Sequence, residues 1–302
     1  MIRSPLNYTG GKFKLLPQIL PLFPSQIDCF VDMFCGGCNV GVNVSANRYV
    51  YNDSCEPLIN LYSVMQTMES EVFLSKVEKL IQKYDLSNVK LNGYEFYNCS
   101  SADGLGSYNK EKYLMLRSDF NSLPKKDSDY YVMLYVLIVF AFNNQIRFNS
   151  SGKFNLPIGK RDFNQNMYKK LSNFLSLLHS QNAIFTHKDF RNFDISKLTP
   201  NDFVYVDPPY LITCAAYNEQ GGWTENDEKD LLCFLDSLSK KNVRFALSNV
   251  LEAKGNVNQI LKHWIENRID YTMIDLNHSY NNSNYHKKKK NYTTKEILVV
   301  NY

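Results

Sequence analysis

The stretch Phe203-Val204-Tyr205-Val206-Asp207-Pro208-Pro209-Tyr210 runs from a short apolar segment of the β type into an acid, two prolines and an aromatic ring. A buried strand that ends in this way places a carboxylate, a backbone carbonyl fixed by the prolines and a flat stacking surface at one strand tip. The sequence therefore predicts a ligand site at the carboxyl end of a buried strand.

Strand and helix patterns alternate on both sides of this stretch. Strands are expected at 29–34, 49–51, 183–186, 203–206, 243–247, 271–276 and 297–300, and helices from about 56 and at 225–239. From roughly 71 to 142 the spacing is helical and lacks strand signals. The segment 147–160 then alternates apolar residues with turn formers, which favours a β-hairpin. The chain is predicted to be an α/β core interrupted by a mostly helical insertion.

The composition is that of a globular protein. With 302 residues, 44% of them hydrophobic, the chain can bury a normal core. It contains no run of about 20 apolar residues and begins without the apolar region of a signal peptide, and its seven cysteines follow no disulfide framework. We therefore expect a cytoplasmic protein without a membrane segment. The net charge of +4 gives only a mild preference for polyanions, and the four lysines at 287–290 suit a solvated loop as well as a phosphate contact.

The tetrapeptide at 207–210 suits methylation of an exocyclic amino group on a flipped nucleobase. The N6 atom of adenine is weakly nucleophilic because its lone pair is delocalised into the ring. Asp207 and the Pro208 carbonyl can accept its two hydrogens, while Pro209 stiffens the loop and Tyr210 stacks on the base. The alternative is a strand that ends in a proline-rich turn with a surface tyrosine.

Two glycine motifs suggest ligand binding. Asp32-Met33-Phe34-Cys35-Gly36-Gly37 follows the first strand, and Asp53 ends the second, where it can accept hydrogen bonds from ribose hydroxyls. Tyr8-Thr9-Gly10-Gly11-Lys12 can bind an anion such as the methionine carboxylate of S-adenosylmethionine. Neither motif is a full dinucleotide or phosphate-loop fingerprint, so an ordinary turn is the alternative for each.

The pair Cys35 and Cys38 has the spacing of a metal or redox motif. No second such pair and no histidine pair with zinc spacing accompanies it. We interpret these cysteines as packing residues, and we expect no metal and no catalytic histidine.

The segment 142–160 carries side chains suited to DNA. Arginine can read guanine, asparagine can read adenine, and a hairpin fits the major groove. Turn capping by the asparagines and simple solvation of the lysine are the alternatives. The candidate DNA-binding residues are Phe142, Asn143, Arg147, Asn149, Asn155, Pro157 and Lys160.

In their order along the chain, these motifs resemble the Dam-type family of DNA adenine-N6 methyltransferases, the D12 class, alpha group. The resemblance covers nearly the whole chain and includes Asp189-Phe190, which lies where the family places an Asp-Phe pair beside the cofactor's adenine. It implies a Rossmann-like, S-adenosylmethionine-dependent methyltransferase core at 1–55 and 162–302, with a target-recognition domain inserted at 56–161. The implied cofactor-binding residues are Tyr8, Gly10, Gly11, Lys12, Asp32, Phe34, Gly36, Asp53, Asp189, Phe190 and Asp207.

The sequence departs from the family pattern at two places. Cys38 replaces the second glycine of the cofactor loop, and Asn144-Gln145 replaces a Gly-Leu pair before the reading arginine. The second departure leaves the recognition sequence open.

The expected activity is methylation of adenine N6 in double-stranded DNA. The alternatives are a cytosine-N4 methyltransferase, which usually has serine in place of Asp207, an inactive DNA-binding regulator of the same fold and, more distantly, a nicotinamide oxidoreductase. A cognate restriction endonuclease is a candidate partner, and a monomer or weak dimer is expected.

Overall fold

A computed structural model describes residues 1–8, 10–213, 222–277 and 294–302. These residues form two compact units. The first comprises Met1–Gly11, Gly36–Asn43 and Cys55–Phe185, and the second comprises Lys12–Cys35, Val44–Ser54 and Thr186–Tyr302. Within the described ranges, no helix has the length and apolar character needed to cross a membrane.

The helices and strands follow one another along the chain in a mixed order. The helices are α1 Leu16–Ile19, α2 Glu56–Thr67, α3 Ser70–Lys83, α4 Val89–Asn92, α5 Gly106–Asn121, α6 Ser128–Phe140, α7 Gln165–Ser180, α8 Glu225–Lys240 and α9 Gln259–Glu266. The strands are β1 Cys29–Asp32, β2 Arg48–Asn52, β3 Ala183–Thr186, β4 Phe203–Val206, β5 Arg244–Ala253, β6 Asn256–Val257, β7 Thr272–Leu276 and β8 Lys295–Val300.

The second unit is built on a mostly parallel sheet. Its strand order is β2-β1-β4-β5-β8-β7, and β6 pairs with β5. The strands β2, β1, β4 and β5 are mutually parallel, whereas β8 runs antiparallel to both β5 and β7. The predicted α/β fold class is therefore confirmed.

The two central strands are apolar on both faces because both faces are covered. On one face, Val31 and Val204 pack with Leu231 and Leu235 of α8. On the other, the ring of Phe23 lies 4.7 Å from that of Phe203. Continuous apolar runs are the expected signature of parallel strands buried in this way.

The strand order reverses between β1 and β4. Successive strands extend from β1 to β2 on one side and from β4 to β5 on the other. Open α/β sheets bind ligands outside the carboxyl ends of the strands at such a switch point. Because β8 is antiparallel, its first residues lie at this same edge, with Glu296 opposite Val250 of β5.

The first unit is helical around a buried centre. Eleven of the thirteen residues of α6 are buried, and α2, α3 and α5 contact it. The side chain of Asp127 begins the helix by accepting hydrogen bonds from the N–H groups of Asp129 and Tyr130. A helix that is apolar on every side needs such enclosure, so the expected helical insertion has its own core.

Most of the predicted elements are present. The strands expected at 183–186 and 203–206 and the helix from about 56 are confirmed, whereas the strand at 243–247 extends to Ala253. Helices α1, α7 and α9 and strand β6 were not predicted. The functional boundaries at 1–55, 56–161 and 162–302 differ from the compact units and stay a prediction, because compactness does not report which residues read DNA.

The predicted hairpin at 147–160 is shorter than expected. Its bridges are Phe148 with Phe154 and, outside the turn, Ile158 with Ala141. The second arm stays with its hairpin partner as far as Asn155, whose N–H donates to the Arg147 carbonyl, and then pairs with the residue that follows α6. The expectation of two arms paired along 147–160 is corrected in this respect.

Asp162 provides a test of the first unit's core. It is fully buried, and burial raises the pKa of its carboxyl group despite a 2.7 Å hydrogen bond from the Val89 N–H. Ionisation of Asp162 therefore destabilises the fold. Its stabilising contribution is complete below the unfolded-state pKa of about 3.9 and is lost as pH rises through the folded-state pKa.

We expect the unfolding free energy of Asp162→Asn to increase relative to that of the wild type as pH rises from 4 to 8, because asparagine does not ionise. Urea unfolding of both proteins across this range measures the difference. If the difference in unfolding free energy between the two proteins stays constant or falls as pH rises, ionisation of Asp162 does not destabilise the fold.

Candidate active site and nucleic-acid interface

A buried ammonium group lies between two carboxylates at the carboxyl edge of the sheet. The Lys12 Nζ atom is 2.9 Å from Asp207 Oδ1 and 3.5 Å from Glu296 Oε1. The side chains of Lys12 and Glu296 are 3% and 1% exposed, and that of Asp207 is 17% exposed. Asp207 is the most accessible of the three, so it is the member that a ligand can reach.

Tyr210 joins the same cluster. Its hydroxyl donates a hydrogen bond to Asp207 Oδ1 at 2.7 Å and lies 3.5 Å from Glu296 Oε1. Lys12 Nζ lies 4.9 Å from the centroid of the Tyr210 ring, and Tyr210 is only 9% exposed. Burial raises the pKa of Asp207, an effect that the nearby Lys12 ammonium opposes, and burial also raises the pKa of Tyr210.

Asn52 fixes the loops around the end of β2. Its amide donates to the carbonyls of Met33 and Lys188 at 3.0 and 2.9 Å, and its carbonyl accepts from the Thr186 hydroxyl at 2.8 Å. The next residue, Asp53, is 7% exposed and donates its N–H to the Thr186 carbonyl. The predicted ribose-binding acid is thus held on a rigid backbone.

Two predicted cofactor residues lie together in an aromatic cluster. The rings of Phe34 and Phe190 are 5.7 Å apart, and each lies 5.9 Å from Trp223. Asp189 accepts hydrogen bonds from the backbone and guanidinium of Arg191. The structure therefore places an apolar surface beside an acid whose direction is set by Arg191.

The glycine motifs of the first unit meet at the ring of Tyr8. A Cβ atom added to Gly36 would lie 2.8 Å from Tyr8 Cδ1, so only glycine permits this approach. Gly11 lies similarly close to the Tyr8 carbonyl and to the amide of Asn39. Tyr8 itself is 36% exposed and offers a surface for a ligand.

Cys38 adopts a backbone conformation that favours glycine. Its φ of 55° lies in the left-handed region that residues other than glycine adopt at a cost of about 1–2 kcal/mol. Cys35 and Cys38 are both buried. Their predicted packing role agrees with this burial.

Helix α5 holds the inner side of the recognition loop, which comprises residues 141–160. Asn121 forms two hydrogen bonds with the backbone of Phe154, and Tyr113 and Arg117 both donate to the Leu156 carbonyl. A Cβ atom on Gly159 would lie 2.4 Å from the Ala141 carbonyl oxygen. The loop is therefore anchored along its second arm.

The outer side of the loop carries most of the predicted DNA-binding residues. Phe142 is 51% exposed. The other exposed members are Asn143, Arg147, Pro157 and Lys160. Arg147 donates from Nε to Asn155 Oδ1 at 2.8 Å, a bond that directs the guanidinium. Asn149 instead accepts from the backbone of Ser151 and Lys153, which makes turn capping its observed role.

Asn143 and Asn144 both have left-handed backbone conformations, with φ of 56° and 52°. Asparagine tolerates this region better than most residues. The buried amide of Asn144 donates to the carbonyls of Ile138 and Val139 at the end of α6, and its oxygen accepts from Asn7 at 3.1 Å. Asn144 therefore stabilises the turn and caps the end of α6.

The cluster contains one residue that the sequence analysis missed. Glu296 stands in the run Lys295-Glu296-Ile297-Leu298, where a single acid in an apolar strand resembles an edge residue. The structuring role of Asn52 was also missed. The lysines at 287–290 lie outside the described residues.

The model of one protein family matches residues 8–294, and its description is D12 class N6 adenine-specific DNA methyltransferase. The chain belongs to this family. Among its relatives, the modification methylase StsI of Streptococcus sanguinis is 41% identical and the type II methyltransferase M.FokI of Planomicrobium okeanokoites is 39% identical. Each match covers 100% of this chain and 43% of the relative's own length. A DNA adenine methylase of Serratia marcescens is 26% identical over 72% of this chain and 70% of its own.

This D12-class chain thus spans less than half the length of the first two relatives. The resemblance inferred from the motifs is confirmed, and enzymes of this class require a methyl donor. The individual roles of the site residues stay predictions.

Removal of the buried cation should destabilise the second unit in a pH-dependent way. Lys12→Met leaves Asp207 and Glu296 close together without the ammonium group. We expect a loss of about 3–5 kcal/mol in unfolding free energy at pH 8. The loss should be smaller at pH 5, because protonation of a carboxylate then relieves the uncompensated charge.

The matched control is Lys76→Met, which removes an exposed ion pair with Asp129 and should cost only about 0–1 kcal/mol. Urea unfolding at both pH values measures the two variants. A Lys12→Met loss equal to that of the control, or equal at the two pH values, would contradict the buried-cluster description.

Proposed function

We propose that this chain is a site-specific DNA adenine methyltransferase, which transfers a methyl group from S-adenosylmethionine to N6 of a flipped adenine in duplex DNA. The observation that carries the proposal is the position of Asp207. Its carboxylate follows β4 at the switch point of the sheet, is held by Lys12 and Tyr210, and keeps some exposure.

The proposed chemistry depends on hydrogen-bond acceptors. Asp207 and the Pro208 carbonyl accept the two hydrogens of N6, which favours a nitrogen whose lone pair is available for methylation. Because burial raises the pKa of Asp207, this carboxylate binds a proton more strongly than an exposed one and can accept the proton that N6 loses. Tyr210 is proposed to stack on the adenine, for which more than 9% of the residue must become exposed.

The residues present fit S-adenosylmethionine, which supplies an electrophilic methyl group when bound. In the second unit, Asp53 has the chemistry to accept hydrogen bonds from ribose hydroxyls, and Phe34 and Phe190 form an apolar surface suited to adenine. With both carboxylates ionised, Lys12, Asp207 and Glu296 carry one net negative charge, which favours a cationic methyl donor. In the first unit, Tyr8, Gly10, Gly11 and Gly36 are proposed as further cofactor contacts.

The recognition loop is proposed to bind DNA through its outer side. Phe142 offers an exposed ring, and Arg147 offers the terminal guanidinium nitrogens that guanine O6 and N7 require. Lys160 is suited to a phosphate contact, and Asn143 and Pro157 are proposed to line the same surface. Asn149 and Asn155 act through the loop, the first by capping its turn and the second by directing Arg147.

The biological setting is also a proposal. Two relatives are named as a modification methylase and a type II methyltransferase. This supports a role in restriction-modification alongside a cognate endonuclease, in the cytoplasm, as a monomer or weak dimer.

The proposal is tested by methyl transfer from tritiated S-adenosylmethionine to unmethylated duplex DNA. The wild type should label the DNA, and Asp207→Ala should lower the rate by at least about a hundredfold because N6 loses its carboxylate acceptor. Asp194→Ala, which removes an exposed acid, serves as the control, and circular dichroism checks the fold of each protein. Absence of label with the wild type, or near wild-type turnover by a folded Asp207→Ala, would contradict the proposal.

Arg147→Ala should change site choice more than cofactor affinity. Loss of a bidentate base contact reduces discrimination by about 1–3 kcal/mol. Arg48→Ala removes the same charge from an exposed pair with Asp28 and is the matched control. Sequence-resolved detection of methylated adenine measures site choice, and a methylation motif identical to that of the wild type would refute the role given to Arg147.

A further inference from the structure

Two donors, Lys12 and Tyr210, contact the same two carboxylates in the buried cluster. Lys12 Nζ and the Tyr210 hydroxyl each lie near Asp207 Oδ1, at 2.9 and 2.7 Å, and each lies 3.5 Å from Glu296 Oε1. Both donors are thus closer to Asp207 and have Glu296 as a second acceptor within reach.

The two donors differ in the number of hydrogens that they can share. An ammonium group has three, so Lys12 can serve both carboxylates at once. A phenol has one, so Tyr210 can donate to Asp207 or to Glu296 but not fully to both. The present geometry gives that hydrogen to Asp207.

This arrangement conflicts with the proposed function, on which the inference rests. A carboxylate oxygen has two lone pairs, and Lys12 and Tyr210 both point at Oδ1 of Asp207. The bond also holds the Tyr210 ring in a buried position, whereas stacking on a base requires an accessible ring. The stacking role therefore requires the hydroxyl to leave Asp207, and its departure also frees a lone pair of Oδ1 for the amino group.

We propose that Glu296 is a positioning residue that accepts the Tyr210 hydroxyl when the target amino group binds Asp207. A buried hydroxyl without an acceptor is unfavourable, so release from Asp207 needs a second acceptor nearby. Glu296 fits this role because it is 1% exposed, lies 3.5 Å from the hydroxyl and is held by β-sheet pairing on β8. Lys12 bridges both carboxylates and keeps them together during the exchange.

Two conservative substitutions separate the acceptor from the charge. Glu296→Gln keeps an oxygen at the Oε1 position and removes the charge, whereas Glu296→Asp keeps the charge and withdraws the oxygen by one methylene. In single turnovers at saturating S-adenosylmethionine with unmethylated genomic DNA, Glu296→Gln should remain within about threefold of the wild-type rate. Glu296→Asp should be slower by about tenfold or more, because Tyr210 then keeps its hydroxyl on Asp207.

The decisive measurement combines Glu296→Asp with Tyr210→Phe. Phenylalanine has no hydroxyl to occupy Asp207, so the double variant should be at least about threefold faster than Glu296→Asp alone. A purely structural role predicts the opposite, since a second buried contact is lost. Asp202→Asn is the control, because it alters a buried acid that bonds the Cys29 and Thr199 backbones and should lower thermal stability without changing the rate.

A double variant that is as slow as Glu296→Asp or slower would overturn the inference. A large loss of single-turnover rate in a folded Glu296→Gln would also overturn it. If Glu296→Asp fails to fold, the rate of Glu296→Gln decides the question. A wild type that transfers no methyl group would overturn the proposed function, and the inference with it. If the wild type transfers methyl groups but the double variant is no faster than Glu296→Asp, only the inference about Glu296 is overturned.

Discussion

A buried ammonium group shared by two carboxylates is the constraint on which the proposed active site depends. Lys12, Asp207 and Glu296 are far apart in the sequence and come together at the carboxyl edge of one sheet. Each would be costly to bury alone, and together they compensate one another's charge. The cluster therefore fixes the segment before α1, the end of β4 and the start of β8 in one arrangement.

Electrostatics at this cluster also explain why Asp207 is suited to hold an amine. Burial raises the pKa of Asp207, and the Lys12 ammonium opposes that shift, so the carboxylate is a stronger acceptor than an exposed one. Lys12 holds this carboxylate in place before any ligand arrives, so the movement needed on binding is confined to the Tyr210 side chain. The recognition loop is also held in place by hydrogen bonds. Helix α5 anchors its inner arm, and Phe142 and Arg147 are exposed on its outer side.

Much of this arrangement is predictable from local sequence. The apolar run at 203–206 and the tetrapeptide after it identify a buried strand with a site at its tip, since strand pattern and turn chemistry agree there. Glu296 is not predictable in this way. It has no motif of its own, and only the antiparallel direction of β8 brings it to the edge where the parallel strands end. The partial failure of the hairpin prediction has a similar cause, because Ile158 pairs with a residue after α6 rather than with its hairpin partner. Cys38 and Asn144 looked like departures, but both take the left-handed backbone expected of glycine.

The measurement that tests the central claim most directly is the identity of the methylated base. DNA incubated with the purified chain and isotopically labelled S-adenosylmethionine is digested to nucleosides and analysed by mass spectrometry. We expect the label in N6-methyladenine, because Asp207 and the Pro208 carbonyl are proposed to accept both hydrogens of that amine. Label in N4-methylcytosine, or no label in any nucleoside from a folded protein, would contradict it.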